Sequence, residues 1–251
     1  MTDVFLCDLK NLKKYEPNIE PRNEIYIKNN ILYKFYNSEC FNDYENNKKM
    51  KLRFINKLLE LKLDNCVIPN GKILDNDNFV GVYMNYYNDY FNLYDLLQIN
   101  IDYDTKLTLL KKINITLKNI HKNNIVHGDI HLGNIITNLE DIKLIDLDES
   151  YFAFNKFDMN LDIKNLMGVI ISILYDFDFE NNIPFTKVEQ REYIENLLND
   201  IGADSNFKDL FKSIFYFGDS DEIIYPDEFL NYIDIEKIKN DKKKLNKKLK
   251  Y

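Results

Sequence analysis

The chain has 251 residues, 45% of them hydrophobic and 29% charged, and its formal net charge at pH 7 is −8. The apolar fraction is typical of a folded globular protein, and the acidic balance argues against nucleic-acid binding as the main role. The longest apolar stretch, residues 166–175, is much shorter than the roughly 20 residues that span a bilayer. The first residues lack a signal-peptide pattern, and the three cysteines are too widely spaced to predict a disulfide framework. We therefore expect a cytoplasmic protein without a membrane span.

The first part of the sequence predicts strands and one helix. Residues 24–36, EIYIKNNILYKFY, are typical of a hairpin that turns at Asn29–Asn30. A helix is predicted over about residues 41–63, because apolar residues recur there at helical spacing. These residues are Leu52, Ile55, Leu59 and Leu63. Residues 79–87, FVGVYMNYY, predict a buried strand that leads into a connector.

The second part predicts mainly helices. One is expected over residues 103–123 with Asp102 as its N-cap, and further helices are expected over 161–175 and within 186–239. The run IKLIDL, residues 142–147, predicts a short strand. Strands first and helices later indicate an α+β protein with two lobes, and a cleft between lobes commonly binds a ligand.

A polar cluster interrupts apolar runs at residues 125–150, IVHGDIHLGNIITNLEDIKLIDLDES. His127 and His131 have the spacing of helical zinc ligands, but the glycine between them argues against a helix and the expected Glu is absent. A structural alternative is that these histidines are interior residues and that the nearby Asp and Asn cap turns. Asp146 and Asp148 would cost several kcal/mol to bury unpaired, and a divalent cation would remove that cost. Oxygen ligands without thiolate are typical of Mg²⁺ that binds polyphosphate.

The segments HGDIHLGNI and KLIDLD resemble the catalytic loop and the metal-binding segment of the protein-kinase-like superfamily. In that superfamily a His-x-Asp pattern is followed by an Asn five residues after the Asp, and by a short strand that ends in another Asp. The resemblance implies that Asp129 is the catalytic base that orients the acceptor hydroxyl, and that Asn134 and Asp146 bind Mg²⁺. It implies that His127 supports the loop backbone, and that ATP and Mg²⁺ are the cofactors.

The resemblance also implies the fold. We expect a bilobal, protein-kinase-like α+β structure. Its N-lobe, residues 1–87, would be a small antiparallel sheet with one helix that clamps the nucleotide. Its C-lobe, residues 88–251, would be mainly helical and would contain the catalytic loop and the metal site.

Further ATP-binding and supporting residues follow from the same resemblance. Lys34, on an early strand, corresponds to the lysine that clamps the phosphates, although an exposed strand lysine is the simpler interpretation. Glu45 is our choice for its helical partner, because it shares the apolar stripe of the predicted helix. Asp162 corresponds to the buried Asp that braces the catalytic loop, or else is an ordinary charge near a helix N-terminus. The hinge residues that would meet adenine are Met84 as gatekeeper, Asn85 and Tyr87.

The chain departs from the superfamily pattern at several points. No G-x-G-x-x-G precedes Lys34, which weakens the expected main-chain cradle for the phosphates. His131 replaces the usual lysine of Ser/Thr protein kinases, as in aminoglycoside and choline kinases, and could neutralise the transferring phosphate when protonated. The interval from Asp146 to Asp162 is too short for a full activation segment, the usual platform for a peptide substrate. The usual Gly after Asp146 is missing, and Asp148 is a candidate for a second metal-binding carboxylate.

The sequence therefore predicts an ATP- and Mg²⁺-dependent phosphotransferase of atypical kinase type. As acceptor, a protein Ser/Thr hydroxyl is slightly favoured over a small molecule, because the C-terminal helices show no acidic pocket for a cationic antibiotic. A pseudokinase scaffold and an adenylyl transferase are the alternatives. The basic tail, residues 237–251, is interpreted as a solvated helix rather than a site for a specific anionic partner.

Overall fold

A computed structural model describes residues 3–9, 12–14, 23–37, 44–179, 187–200, 205, 208–209, 211–212 and 223–240. The chain packs into two compact units. One comprises Met1–Tyr90 with Ile145–Glu149, and the other comprises Phe91–Leu144 with Ser150–Tyr251. The α+β class predicted from the sequence is confirmed. The assignment of residues 1–87 and 88–251 to two functional lobes stays a prediction.

The described part of the first unit contains a six-stranded sheet. Its strands are β1 (Val4–Phe5), β2 (Lys13–Lys14), β3 (Glu24–Lys28), β4 (Ile31–Phe35), β5 (Gly71–Asp75) and β6 (Asn78–Asn85). They are ordered β1-β5-β6-β4-β3-β2, with β1 parallel to β5 and the other pairs antiparallel. The predicted hairpin is present, and Asn29 and Asn30 both take positive φ, 52° and 59°. A two-residue hairpin turn of type I′ needs this conformation at both central positions, and Asn tolerates it.

The first unit also contains helix α1 (Tyr44–Glu60). Its position agrees with the predicted helix, but its buried face does not follow the predicted stripe. Phe54, Ile55 and Leu58 are buried, whereas Leu52 and Leu59 are only half-buried. The buried face is therefore rotated from the predicted one, and residues three or four positions before Ile55 and Leu58 lie on the buried side of the helix.

The second unit combines short strands with helices. The strands are β7 (Phe91–Asn92), β8 (Ile125–Val126), β9 (Ile135–Thr137), β10 (Ile142–Leu144) and β11 (Tyr151–Phe152). The helices are α2 (Leu93–Leu96), α3 (Tyr103–Lys122), α4 (Lys156–Tyr175), α5 (Lys187–Asp200) and α6 (Asp227–Tyr232). One sheet has the order β10-β9-β7, and β11 pairs antiparallel with β8. No helix in the described ranges has the length and apolar composition needed to cross a membrane.

The ends of the two long helices are explained by their caps. Asp102 caps α3 as predicted, since its carboxylate accepts a hydrogen bond from the Thr105 backbone N–H at 2.8 Å. α4 begins five residues before its predicted start, because Asn155 and Asp158 form a capping box. Apolar faces of both helices are fully buried and support the β8 strand that leads into the polar cluster.

Candidate active site

In the first unit, the side chain of Lys34 is buried among carboxylates. Strand β4 places it between Ile25 of β3 and Val82 of β6, and only 5% of the side chain is exposed. Its Nζ lies 3.3 Å from Asp146 Oδ1, 3.0 Å from Asp148 Oδ2 and 3.1 Å from Glu149 Oε1. A buried ammonium group needs such partners, so Lys34 is not the exposed strand lysine of the simpler interpretation.

A tight turn brings these carboxylates to one amine. Asp146 has a φ of 63°, a left-handed conformation that Asp tolerates, and residues Leu147–Glu149 form a short 3₁₀ helix. The Glu149 backbone N–H donates to the Asp146 carbonyl oxygen at 2.9 Å. Asp148 therefore points into the interior, whereas 47% of the Asp146 side chain remains exposed.

The charges of this cluster stabilise one another. Burial by itself lowers the pKa of Lys34, but Asp148, Asp146 and Glu149 reverse the effect and raise that pKa well above its ordinary value. Burial raises the pKa of the Asp148 carboxyl, but Lys34 and Lys51 outweigh it, so this pKa is below its ordinary value. Lys34 is therefore a cation and Asp148 an anion near neutral pH.

Asp148 has one satisfied oxygen and one unsatisfied oxygen. The Tyr36 hydroxyl donates to Asp148 Oδ2 at 2.7 Å, beside the contact with Lys34. Oδ1 is buried and has no hydrogen-bond partner among the described residues. Asp148 thus anchors Lys34, and Oδ1 is the atom with which it would reach a metal ion, a role that stays a prediction.

Helix α1 contributes a second lysine to the cluster. Lys51 Nζ lies 2.8 Å from Glu149 Oε2 and 4.8 Å from the centre of the Tyr36 ring. The side chain of Glu45, the predicted partner of Lys34, lies outside the described residues. Sequence analysis did not identify Tyr36, Lys51 or Glu149, since contacts between distant segments leave no trace in local periodicity.

The predicted hinge residues lie at the end of β6. Met84 is buried and pairs with Leu32 of β4, whereas Asn85 is exposed and accepts a hydrogen bond from Asn70 Nδ2 at 2.8 Å. Tyr87 is half-buried and contacts the Tyr90 ring. Their roles against adenine stay predictions.

In the second unit, Asp129 and Asn134 form a bonded pair. Asn134 Nδ2 donates to both the backbone carbonyl and Oδ2 of Asp129, each at 3.0 Å. The backbone carbonyl oxygen can only accept, so the amide nitrogen must face Asp129, and the Asn134 amide oxygen is turned away from these two acceptors. The Asp129 side chain is 73% exposed and can be reached by an acceptor molecule.

The two loop histidines hold the backbone around Asp129. His127 is buried and its Nδ1 accepts from the Asp129 N–H at 3.4 Å. His131 Nδ1 accepts from the Gly133 N–H at 3.0 Å, so in the neutral ring Nε2 has the proton, and this atom lies 3.5 Å from Asp129 Oδ2. His131 Nε2 therefore lies near the Asp129 carboxylate, and its predicted action as a cation on phosphate stays a prediction.

Asp162 connects this loop to the helices below it. It is fully buried in the second turn of α4, so the interpretation as a charge near a helix N-terminus is wrong. Its carboxylate accepts from the backbone N–H groups of His127 at 2.7 Å and Gly128 at 2.8 Å. His121 Nε2 lies 3.0 Å from the same carboxylate, and His121 Nδ1 lies 2.8 Å from the Tyr225 hydroxyl. This geometry is what bracing of the catalytic loop requires.

The residues predicted to bind metal are oxygen donors, and their role as Mg²⁺ ligands stays a prediction. Within the described ranges, no group of three or more His, Cys, Asp or Glu side chains has an arrangement suited to a metal ion. In the first unit Asp146 has a part-exposed carboxylate, and in the second unit Asn134 has an amide group. Both are oxygen donors of the kind that Mg²⁺ prefers. Few protein ligands are needed, because Mg²⁺ in such sites is bound largely by substrate phosphates and water.

Comparison with known proteins gives the family. A family model described as lipopolysaccharide core biosynthesis protein (WaaY) matches residues 7–201, well over half of the chain. No curated protein matches the chain significantly. The superfamily predicted from the catalytic loop is confirmed, and the specific family was not identified from the sequence. The chain belongs to the WaaY family of the protein-kinase-like superfamily and is an ATP-dependent kinase.

Proposed function

We propose that this kinase phosphorylates a sugar hydroxyl, a heptose of the lipopolysaccharide core. The family description supports this acceptor, and it favours the small-molecule alternative over the protein Ser/Thr acceptor preferred from the sequence. A cytoplasmic location, where ATP is available, stays a prediction.

One structural observation supports a non-peptide acceptor in particular. After the Asp146 turn, β11 follows at Tyr151 and α4 begins at Lys156. This connection leaves no length for the activation segment on which protein kinases seat a peptide. A sugar hydroxyl needs no such platform.

The proposed residues have two kinds of role, namely orientation of the acceptor hydroxyl and neutralisation of phosphate charge. Asp129 would accept a hydrogen bond from the attacking hydroxyl and orient it, while Asn134 holds its carboxylate. Lys34 would bind the ATP phosphates, and Asp148 keeps its ammonium group in place. Asp146 and Asn134 would hold Mg²⁺, which neutralises phosphate charge when bound.

The test is a phosphorylation assay with purified protein, ATP, Mg²⁺ and lipopolysaccharide core oligosaccharide lacking its heptose phosphates. Mass spectrometry should show a gain of one phosphoryl group on the oligosaccharide. Fragmentation of the product should place this group on a heptose. An unrelated protein substrate in a parallel reaction should remain unmodified. Phosphate on the protein alone would overturn the sugar acceptor, and a gain of AMP mass would mean adenylyl transfer.

A further inference from the structure

Glu149 joins two lysines that come from different elements of the first unit. Its Oε1 lies 3.1 Å from Lys34 Nζ on β4, and its Oε2 lies 2.8 Å from Lys51 Nζ on α1. Asn23 Nδ2 donates to Oε1 at 3.3 Å. Each carboxylate oxygen thus has its own ammonium partner, and the two lysines are held by one acidic residue.

Lys51 occupies a position on α1 where a solvated lysine is not expected. It is three or four residues before the buried Phe54 and Ile55, so it lies on the same, buried face of the helix. Only 16% of its side chain is exposed, and its amine lies over the Tyr36 ring. An ion pair with this degree of burial and a second, aromatic contact is better fixed than an ordinary surface pair.

The superfamily resemblance implies that the strand lysine pairs with a glutamate of the helix, and that pairing of Glu45 stays a prediction. Among the described residues, the glutamate that pairs with Lys34 comes from the turn after β10, and the helix supplies Lys51 to the same glutamate. Lys57 on the same helix shows the contrast, because it is exposed and contacts only the neighbouring Glu60, at 3.4 Å, among the contacts described.

We propose that Glu149 and Lys51 are positioning residues through which helix α1 sets the place of Lys34. This inference rests on the proposed role of Lys34 in binding ATP phosphates. Without Lys51, one Glu149 oxygen loses its partner, and the carboxylate becomes free to turn away from Lys34. Without the Glu149 charge, two ammonium groups near one site repel each other. In both cases Lys34 would be less well placed for phosphate.

Calorimetric titration of the full chain with ATP and Mg²⁺ tests the inference without any acceptor. We expect Lys51→Met and Glu149→Gln each to weaken ATP binding by at least about fivefold, the effect of one well-formed ion pair. The double variant should bind nearly as well as either single variant, because both changes break one interaction. Lys51→Arg should restore affinity, and Lys57→Met, the matched control, should leave it unchanged.

Three further variants separate the possible failures. If Lys51→Met binds ATP as Lys57→Met does, the positioning role is overturned. If Lys34→Met binds ATP as the wild type does, the proposed function of Lys34 fails instead.

Should Lys51→Met unfold, Lys51→Gln and Lys51→Arg are compared by titration at a temperature where circular dichroism shows both folded. Equal ATP affinities for those two variants would overturn the role, and tighter binding by the arginine variant would support it. If Glu45→Gln weakens ATP binding more than Glu149→Gln does, Glu45 of the helix is the residue that positions Lys34, and the proposal is overturned.

Discussion

At the scale of single residues, the orientation of the Asn134 amide links two functions. Its nitrogen donates twice to Asp129, and this fixes the direction of its oxygen. One side chain can thereby orient the candidate base and present a metal ligand. A substitution of Asn134 would disturb both functions, so Asp129 is the better position for testing catalysis alone.

We predict that Asp129→Asn lowers turnover by at least about a hundredfold, the low end for a positioned acid or base, and spares ATP binding. The amide is a much weaker acceptor for the hydroxyl proton, whereas the nucleotide-binding residues are unchanged. Steady-state kinetics with the core oligosaccharide and calorimetry with ATP give the two quantities. Asp104→Asn, at an exposed carboxylate of the same unit, is the control. Turnover within a few-fold of that control would remove Asp129 from the role.

At the scale of elements, a series of hydrogen bonds connects the catalytic loop to helices α4 and α3 and to Tyr225. Asp162 of α4 accepts from two loop N–H groups and from His121 of α3. In the neutral imidazole, His121 donates to the carboxylate through Nε2, and its Nδ1 accepts from the Tyr225 hydroxyl. This series of hydrogen bonds therefore requires the Tyr225 hydroxyl to be protonated.

This requirement predicts a pH dependence of stability. Burial, with the charges of Asp162 and Asp227, raises the pKa of Tyr225 from 10.0 to about 12. The unfolded tyrosine ionises first, so the contribution of Tyr225 is complete below pH 10 and is lost as pH rises towards 12. Urea unfolding of wild type and Tyr225→Phe should differ more at pH 9 than at pH 11.5. Lysines also titrate in this range, so the difference between the two proteins is the relevant quantity. A constant difference would contradict the prediction.

The elements themselves could be predicted to different degrees. Asp102 and the Asn29–Asn30 turn were predictable because caps and tight turns depend on neighbouring residues. The buried face of α1 was predicted incorrectly, because within the helix the predicted stripe of Leu52, Ile55 and Leu59 shares only Ile55 with the buried residues. Packing against neighbouring elements, which the periodicity does not contain, decides which apolar side chains are buried. For the same reason the sequence did not predict that Lys51 is largely buried. Its contact with Glu149 depends on the tertiary fold.

At the scale of the whole molecule, the sequence predicted the chemistry better than the acceptor. The loop and turn motifs contain the residues proposed to bind ATP, phosphate and metal, and these requirements are shared by kinases with unrelated acceptors. Recognition of the sugar has no comparable motif in the sequence. The preference for a protein Ser/Thr therefore rested on an absent acidic pocket, although the short interval after Asp146 already favoured a non-peptide acceptor.

The last prediction concerns the stability of the whole chain with its nucleotide. A ligand at 100 times its Kd stabilises the folded protein by about 2.7 kcal/mol, which for a chain of this size raises the melting temperature by roughly 5–10 °C. ATP with Mg²⁺ should produce this rise in wild type and in Asp129→Asn. Asp146→Asn should lose most of it, because the amide has no charge to offer the metal.

Measurement by differential scanning calorimetry, with and without EDTA, separates the metal from the nucleotide. If EDTA removes the rise in wild type and leaves Asp146→Asn unaffected, the loss in the variant is a loss of metal binding. If Asp146→Asn retains the full rise with Mg²⁺, Asp146 is not the ligand, and Asp148 Oδ1, buried and without a described partner, becomes the carboxylate oxygen to test next.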